Sequence, residues 1–278
     1  MLSILYGLVS AIGWGAADFI GGFASRRNSP YRVLFLAELS GLILLWIIAF
    51  SIGEPIPALY AWLWSGIASG MGTYGLILLY RALAEGQMTV AASVSALLAA
   101  CIPVVVGSVT EGLPEPLTIL GFILALVSIW AISQSREHSD WRMNLRALLP
   151  PLFAGIFFGF YFVAIHEATR ESLFWPLVSA RLAGTLVMLC YALIKRSPAM
   201  PDRPLWPLVS LGGMLDVTGT AFYILSARAG RMDVAAVLSS LYPGATVILA
   251  ALILKERISL IQKLGVLSAL IAILLLTL

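Results

Sequence analysis

Residues 86–97 read GQMTVAASVSAL, and residues 230–241 read GRMDVAAVLSSL. At a fixed offset of 144 residues the two stretches carry the same residue at seven of twelve positions. The same offset relates glycines and apolar residues elsewhere, pairing Leu8 with Leu152, Ile12 with Ile156, Gly15 with Gly159, Leu120 with Leu264 and Gly121 with Gly265. Because the offset is a little more than half of the 278 residues, the chain contains one unit twice.

The composition indicates that the solvent of this chain is a lipid bilayer. Hydrophobic residues make up 60% and charged residues only 11%, whereas about a quarter of the residues of a soluble domain are charged. The basic residues lie in short loops, so the net charge of +3 does not indicate nucleic-acid binding. Cys101 and Cys190 lie in apolar runs, which favours packing over a disulfide or metal pair. No metal-ligand, nucleotide-loop or hydrolase motif occurs, so we expect no metal, no cofactor and no enzymatic activity.

Ten apolar runs are each long enough for a helix that spans the hydrocarbon core, which takes about 20 residues. The predicted spans are Leu2–Phe23, Tyr31–Ser51, Pro57–Tyr80, Met88–Ser108, Pro116–Ser133, Leu148–His166, Leu173–Ile194, Leu205–Ala227, Val234–Leu254 and Leu260–Leu278. Charged segments that contain Pro or Gly separate several of them. We therefore predict a five-helix repeat at 1–133, a polar linker at 134–147 and a second five-helix repeat at 148–278.

Five helices per copy are an odd number, so the second copy must enter the membrane from the opposite side. The predicted fold is an all-α integral membrane protein with ten transmembrane helices in two inverted repeats. Thirteen Lys and Arg residues lie in loops on one side and three on the other, with Arg181 inside a span. The positive-inside rule places the first side in the cytoplasm, and hence both termini on the outer face of the cell inner (plasma) membrane.

The second copy carries a stretch, residues 236–275, that reads AVLSSLYPGATVILAALILKERISLIQKLGVLSALIAILL. It resembles the EamA-type proteins of the drug/metabolite transporter superfamily, in which a helix with a mid-membrane Pro leads to a Glu-Arg turn and a final helix that opens on Gly. The matching residues are Pro243, Glu256, Arg257 and Gly265, together with Trp14 and Gly15 in the first copy. The first copy departs from the pattern, with Thr110-Glu111-Gly112 in place of the Glu-Arg turn. The resemblance implies a secondary transporter of small organic solutes, often an exporter.

Four charged residues lie well inside predicted spans, at least five residues from either end: Asp18, Glu38, Arg181 and Asp216. Charges inside a bilayer are costly, so each is a candidate for substrate binding or coupling. Glu38 and Arg181 occupy corresponding repeat positions at an offset of 143, which predicts a charged pair or gate in the translocation path. The alternatives are a structural ion pair, or an Arg181 that anchors a substrate carboxylate. We expect Asp18 and Glu38 toward the inner vestibule and Asp216 near mid-depth.

Asp18 and Asp216 each lie on a small polar stripe with helical spacing. The stripes are Ser3, Gly7, Ser10, Trp14, Asp18 and Gly21 in the first span, and Gly212, Asp216, Gly219 and Tyr223 in the eighth. Trp14 beside Asp18 suits an amine or another organic cation. Alternatively, Asp18 meets the arginines at the cytoplasmic end of its helix. Asp216 is a candidate for binding substrate or carrying a proton, and Tyr223 is a candidate pocket residue.

Three further features are candidates for pocket, hinge or packing roles. Pro103 and Pro243 lie well inside the fourth and ninth spans, where a Pro permits a bend, so they are predicted hinges or static kinks. Tyr242 is predicted to line a pocket. Gly66 and Gly70 form a small-xxx-small face that we expect to pack helices together.

The sequence therefore favours a secondary active transporter that works by alternating access around a midplane site. The predicted solute is a small organic metabolite such as an amino acid, an amine or an organic cation, with protons and membrane lipids as further partners. A monomer suffices, because ten helices can enclose a site. The alternatives are a passive channel or lipid scramblase and, with least support, a membrane-embedded enzyme.

Overall fold

The computed structural model describes residues 1–84, 88–132, 145–253 and 259–276, and these contain helices and loops without any strand. Eleven α-helices follow one another in these ranges. They are α1 (Leu2–Ser25), α2 (Pro30–Ile52), α3 (Leu59–Ala84), α4 (Met88–Thr110), α5 (Pro116–Ile132), α6 (Leu145–Ala168), α7 (Phe174–Ile194), α8 (Trp206–Ala229), α9 (Met232–Ser239), α10 (Tyr242–Ile253) and α11 (Leu260–Leu275).

Every predicted span contains helix, but the ninth is divided into α9 and α10 by a break at Ser240 and Leu241. In the described residues, six helical segments are long and apolar enough to cross a membrane: Leu2–Ser25, Pro30–Ile52, Leu149–Ala168, Phe174–Ile194, Arg203–Ala229 and Met232–Ile253. The segments Val94–Thr110, Pro116–Ile132 and Leu260–Leu275 are apolar but shorter. Most of the predicted linker at 134–147 and the Glu256-Arg257 turn lie outside the described residues.

The outside of the bundle is apolar and its interior holds acidic groups, which is the reverse of a soluble protein. Leu5, Trp46, Phe50 and Val109 are among many large apolar side chains that are more than half exposed. Glu38, by contrast, is only 2% exposed. Hydrocarbon is the solvent that makes this arrangement favourable, because an apolar surface costs nothing against lipid.

Contacts at one end of the bundle show that α1 and α6 run in opposite directions. The Ser3 hydroxyl at the start of α1 donates to the Ser226 carbonyl in the last turn of α8, at 2.9 Å. The nearby Arg228 guanidinium donates to the carbonyl of Thr169, the residue that follows α6. The start of α1 and the end of α6 therefore share one end.

Helix packing repeats with the roles of the two halves exchanged. The pair α1 and α8 packs extensively, as does the pair α6 and α3; α4 packs on α6, as α9 and α10 pack on α1. Glycines permit two of these approaches. A Cβ on Gly15 would collide with the Tyr242 carbonyl, and one on Gly159 would lie 2.7 Å from Ile102 Cδ1. These two glycines are the repeat-equivalent pair at an offset of 144.

Gly66 and Gly70 do not have the predicted packing role. Both are exposed on α3, and a Cβ built at either position meets no heavy atom within 4 Å. Their spacing places them on one face of the helix, as predicted, but that face is turned toward the surroundings of the bundle. Spacing alone fixes which residues share a face and not what covers the face.

Candidate functional site

A cavity of about 60 Å³ lies at the centre of the bundle, among α1, α2, α3, α6, α7, α8 and α10. A water molecule needs roughly 10–15 Å³ of such space, so the cavity has room for a few small groups. All four predicted intramembrane charges line it: Asp18, Glu38, Arg181 and Asp216. The structure thus places Asp18 and Glu38 beside Asp216 rather than in a separate inner vestibule.

Arg181 of α7 is bound by two carboxylates from different helices. Its Nη1 lies 3.1 Å from Glu38 Oε2 of α2, and its Nη2 forms an ion pair with Asp216 Oδ2 of α8. The three side chains are between 3% and 14% exposed. Gly184 leaves the space for this arrangement, since a Cβ there would lie 3.1 Å from Glu38 Oε2. The guanidinium is therefore neutralised within the protein.

Asp18 is the acidic group of the cavity that has no cation beside it. It is 6% exposed, and the ion pairs found across the described part of the chain do not include it. The arginines at the end of α1 do not reach it; Arg27 instead lies over the Phe23 ring, 4.7 Å from the ring centroid. The alternative that Asp18 meets those arginines is therefore wrong.

Stacked aromatic rings form the wall next to Asp18. The Trp14 and Phe162 rings are 5.2 Å apart and nearly parallel, and Tyr223 stacks on Phe162 at 4.8 Å. The Tyr223 hydroxyl donates to the Phe162 carbonyl at 3.1 Å. Tyr223 therefore supports this wall from behind and does not line the cavity, whereas Trp14 lines it.

Thr220 joins the aromatic wall to the charged groups. The Trp14 indole N–H and the Tyr161 hydroxyl donate to Thr220 Oγ1 at 3.3 and 3.4 Å. The Thr220 hydroxyl donates in turn to the Asp216 carbonyl at 3.1 Å. One hydroxyl thus connects both rings to the helix turn that carries Asp216.

Tyr242 lines the cavity at the start of α10, directly after the break in the ninth span. Its hydroxyl lies 2.9 Å from Ser95 Oγ of α4. Pro243 lies in the first turn of α10 rather than inside a continuous helix, so the predicted bend at Pro243 is a break two residues earlier. Pro103 does lie inside the continuous helix α4.

Positions that are equivalent in the two copies meet in this one cavity. At an offset of 144, Trp14 matches Phe158, Asp18 matches Phe162, Gly72 matches Asp216 and Leu76 matches Thr220. All eight residues line the cavity. Glu38 and Arg181, at an offset of 143, line it as well. Residue type alone misses Tyr161 and Thr220. The repeat pairs Phe162 with Asp18, which marks Phe162 from the sequence, and the offset of 144 pairs Thr220 with the cavity residue Leu76.

Comparisons with known proteins agree with this architecture. A sequence profile of the EamA-like transporter family matches residues 1–134 and, separately, residues 146–278. One solved structure, titled only as the crystal structure of a protein, has a TM-score of 0.80 at 16% identity over 99% of this chain and 96% of that one. At that identity the likeness concerns the fold alone. No curated protein sequence matches the chain significantly.

Proposed function

The chain belongs to the EamA-like transporter family, and from this premise we propose that it is a secondary active transporter, an exporter, of a small organic metabolite such as an amino acid, an amine or an organic cation. The observation that carries the proposal is the central cavity with three carboxylates and one guanidinium. Buried charges that line a cavity inside a membrane bundle are the usual mark of a substrate or ion path.

The charge distribution favours a cationic group on the solute. Arg181 is already bound by Glu38 and Asp216, so a solute carboxylate would have to compete with both. Asp18 has no such partner and lies beside the Trp14 ring. A carboxylate next to an aromatic face attracts an ammonium group by charge and by the ring quadrupole together. Among the proposed solutes, an amine or organic cation fits this cavity best.

We propose that transport proceeds by alternating access around the cavity. Ten spans would form two inverted five-helix repeats, with the first at 1–133 and the second at 148–278, and both termini on the outer face of the inner membrane. The opposed directions of α1 and α6 and the exchanged helix pairings support this topology. Inverted repeats provide two related conformations that open to opposite sides of the membrane.

Contacts at the outer end of the bundle favour a conformation that is closed on the outer side. The Glu54 carboxylate of the first copy accepts from the backbone N–H groups of Phe174 and Trp175, at 2.7 and 3.2 Å, at the start of α7. Arg231 of the second copy donates to the Gly112 carbonyl of the first at 2.7 Å. Both contacts join the two repeats at this end, which supports a closed outer side. The broken helix α9–α10 and the Pro103 helix are the proposed hinges.

A binding screen followed by transport tests the proposal. Purified protein in neutral detergent is screened by thermal shift with amino acids, amines, nucleosides and quaternary ammonium compounds. We expect amines or quaternary ammonium compounds to stabilise the protein. Asp18→Asn should weaken the best of them by about thirtyfold, as loss of a buried charged partner costs at least about 2 kcal/mol. The exposed Glu115→Gln serves as the control with the same loss of charge.

Proteoliposomes then separate a coupled transporter from a channel. A transporter shows saturable counterflow of the labelled hit, whereas a passive channel shows none. If Asp216 is the proton-coupling group, Asp216→Asn should abolish accumulation driven by a pH gradient while counterflow persists. Unchanged accumulation in Asp216→Asn would overturn its assignment, and absence of counterflow with every hit would overturn the transport proposal.

A further inference from the structure

A second cavity, of about 270 Å³, lies between the first turns of α2 and the end of α7. It is far from the outer contacts and lies at the end of the bundle that the positive-inside rule assigns to the cytoplasm. One wall comes from each copy, because α2 and α7 are the second helices of the two repeats. The stacked rings of Tyr31 and Tyr191, 4.3 Å apart, join the two walls.

The lining of this cavity is basic and rich in hydroxyl groups. It includes two cations, Arg32 and Lys195, and the hydroxyl residues Ser29, Tyr31, Tyr191 and Ser197, with no acidic residue among its members. Neither cation takes part in any ion pair found in the described residues. The Ser29 side chain makes no capping bond to α2, although Ser29 is the N-cap residue. Positive charge and hydrogen-bond donors thus face the same space.

The backbone at one edge of this cavity adopts a conformation that its residue type does not favour. Arg196, which follows Lys195, has φ 49°, a value at which a residue other than Gly, Asn or Asp is strained by about 1 kcal/mol or more. The turn ends α7 with hydrogen bonds from Arg196 N–H to the Leu193 carbonyl and from Ser197 N–H to the Ala192 carbonyl. Glycine is the common residue there. The chain instead keeps a third cation next to Lys195 and holds Ser197 at the cavity.

Apolar residues complete the lining of this cavity: Phe35, Met188, Ala192, Pro198 and Ala199. The cavity therefore offers apolar contacts beside its positive charge. Basic pockets between transmembrane helices on the cytoplasmic side are the arrangement that binds anionic lipid head groups.

We propose that this cavity binds the phosphate group of an anionic membrane lipid, held by Arg32 and Lys195 and by the neighbouring hydroxyls. The bound phosphate ties the inner end of α2 to that of α7 and so stabilises the bundle. Binding is measured without any transported solute, so the proposal stands or fails separately from the transport function.

Thermal unfolding of the full-length protein in neutral detergent tests this site. The ligands are phosphatidylglycerol, phosphatidylcholine and soluble glycerol phosphate, at equal concentration and ionic strength. We expect phosphatidylglycerol to raise the unfolding temperature most. The double variant Arg32→Gln with Lys195→Gln should bind it at least about tenfold more weakly, because each basic residue near an anionic head group contributes about 1 kcal/mol.

Two controls keep the result interpretable. Arg26→Gln with Arg203→Gln removes two exposed basic residues that do not line the cavity, and it should bind phosphatidylglycerol like the wild type. Lys195→Arg keeps the charge and should also bind. An equal loss in the two double variants, or equal stabilisation by phosphatidylcholine, would contradict the site. Equal stabilisation by glycerol phosphate would contradict a lipid as the source of the phosphate.

Discussion

Arg181 holds together three helices through charge. It bridges Glu38 of α2 and Asp216 of α8 while lying on α7. Two carboxylates packed this closely without a cation would repel each other in a poorly solvating interior. The same contacts make Arg181 a poor candidate to anchor a solute carboxylate, since both of its terminal nitrogens already bind carboxylates of the protein.

Replacing Arg181 by Met is expected to destabilise the protein by about 3–5 kcal/mol, because two buried carboxylates are left without their cation. The measurement is denaturant unfolding in detergent, compared with wild type. The triple variant Arg181→Met, Glu38→Gln and Asp216→Asn removes the whole charged group and should recover most of that loss. If the single and triple variants were equally unstable, packing rather than charge would account for the effect.

The identity of the charged residues and the pairing of Glu38 with Arg181 could be predicted from sequence, whereas the position of Asp18 and Asp216 in the same cavity could not. Asp18, Glu38, Arg181 and Asp216 are conspicuous because each interrupts an apolar run. Their predicted depth in the membrane depends on the span ends, which are uncertain by a few residues. At 1.5 Å per residue, this error is large enough to assign different depths to residues that share one cavity. Tyr161 was missed because an aromatic residue in an apolar span carries no signal of its own.

At the scale of helices, glycines decide how closely the two copies approach. Gly15 allows α1 to pack against the start of α10, where a Cβ would collide with the Tyr242 carbonyl and lie 2.6 Å from Ala245 Cβ. Backbone atoms cannot move aside as a flexible side chain can. The position therefore links a packing contact to the cavity, because Tyr242 lines it.

Gly15→Ala is accordingly expected to destabilise the protein by about 1–3 kcal/mol through overpacking. Gly66→Ala is the matched control in α3, since no heavy atom lies within 4 Å of its new Cβ. That control should be neutral or stabilise by up to about 1 kcal/mol, because Ala favours helix over Gly. Both are measured by denaturant unfolding in the same detergent. A Gly15→Ala protein as stable as Gly66→Ala would mean that α1 and α10 do not pack this tightly.

The break between α9 and α10 shows where helix prediction from sequence reached its limit. Pro243 marks the region, because a Pro lacks the N–H that a continuous helix would use one turn back. The neighbouring Val237, Leu238 and Leu241 are apolar and give no sign of an interruption. The helix therefore ends at Ser239 and restarts at Tyr242, so that Pro243 lies in a first turn, where it is favourable.

Across the whole molecule, the scaffold is nearly symmetric and the chemistry is not. In the repeat alignment, Trp14 corresponds to Phe158, Asp18 to Phe162 and Gly72 to Asp216. All six residues line one cavity. In the proposed alternating-access mechanism, the two related halves would supply two conformations, and the unlike residues at equivalent positions would line a single binding site in both.

Alternating access is tested most directly by the accessibility of one cavity residue from both sides. Ser69 lines the cavity, whereas Ser65, one turn earlier on α3, does not. Each is replaced by Cys after Cys101 and Cys190 are changed to Ser, and a small charged methanethiosulfonate is applied to right-side-out or inside-out vesicles. A second pair, Ser3→Cys with Ser226→Cys, provides an outer disulfide, because the two native hydroxyl oxygens are 3.3 Å apart.

We predict that Ser69→Cys reacts from both sides and Ser65→Cys from neither. Oxidation of the outer pair should stop reaction from outside and leave reaction from inside. Reaction of Ser69→Cys from one side only would contradict alternating access around this cavity.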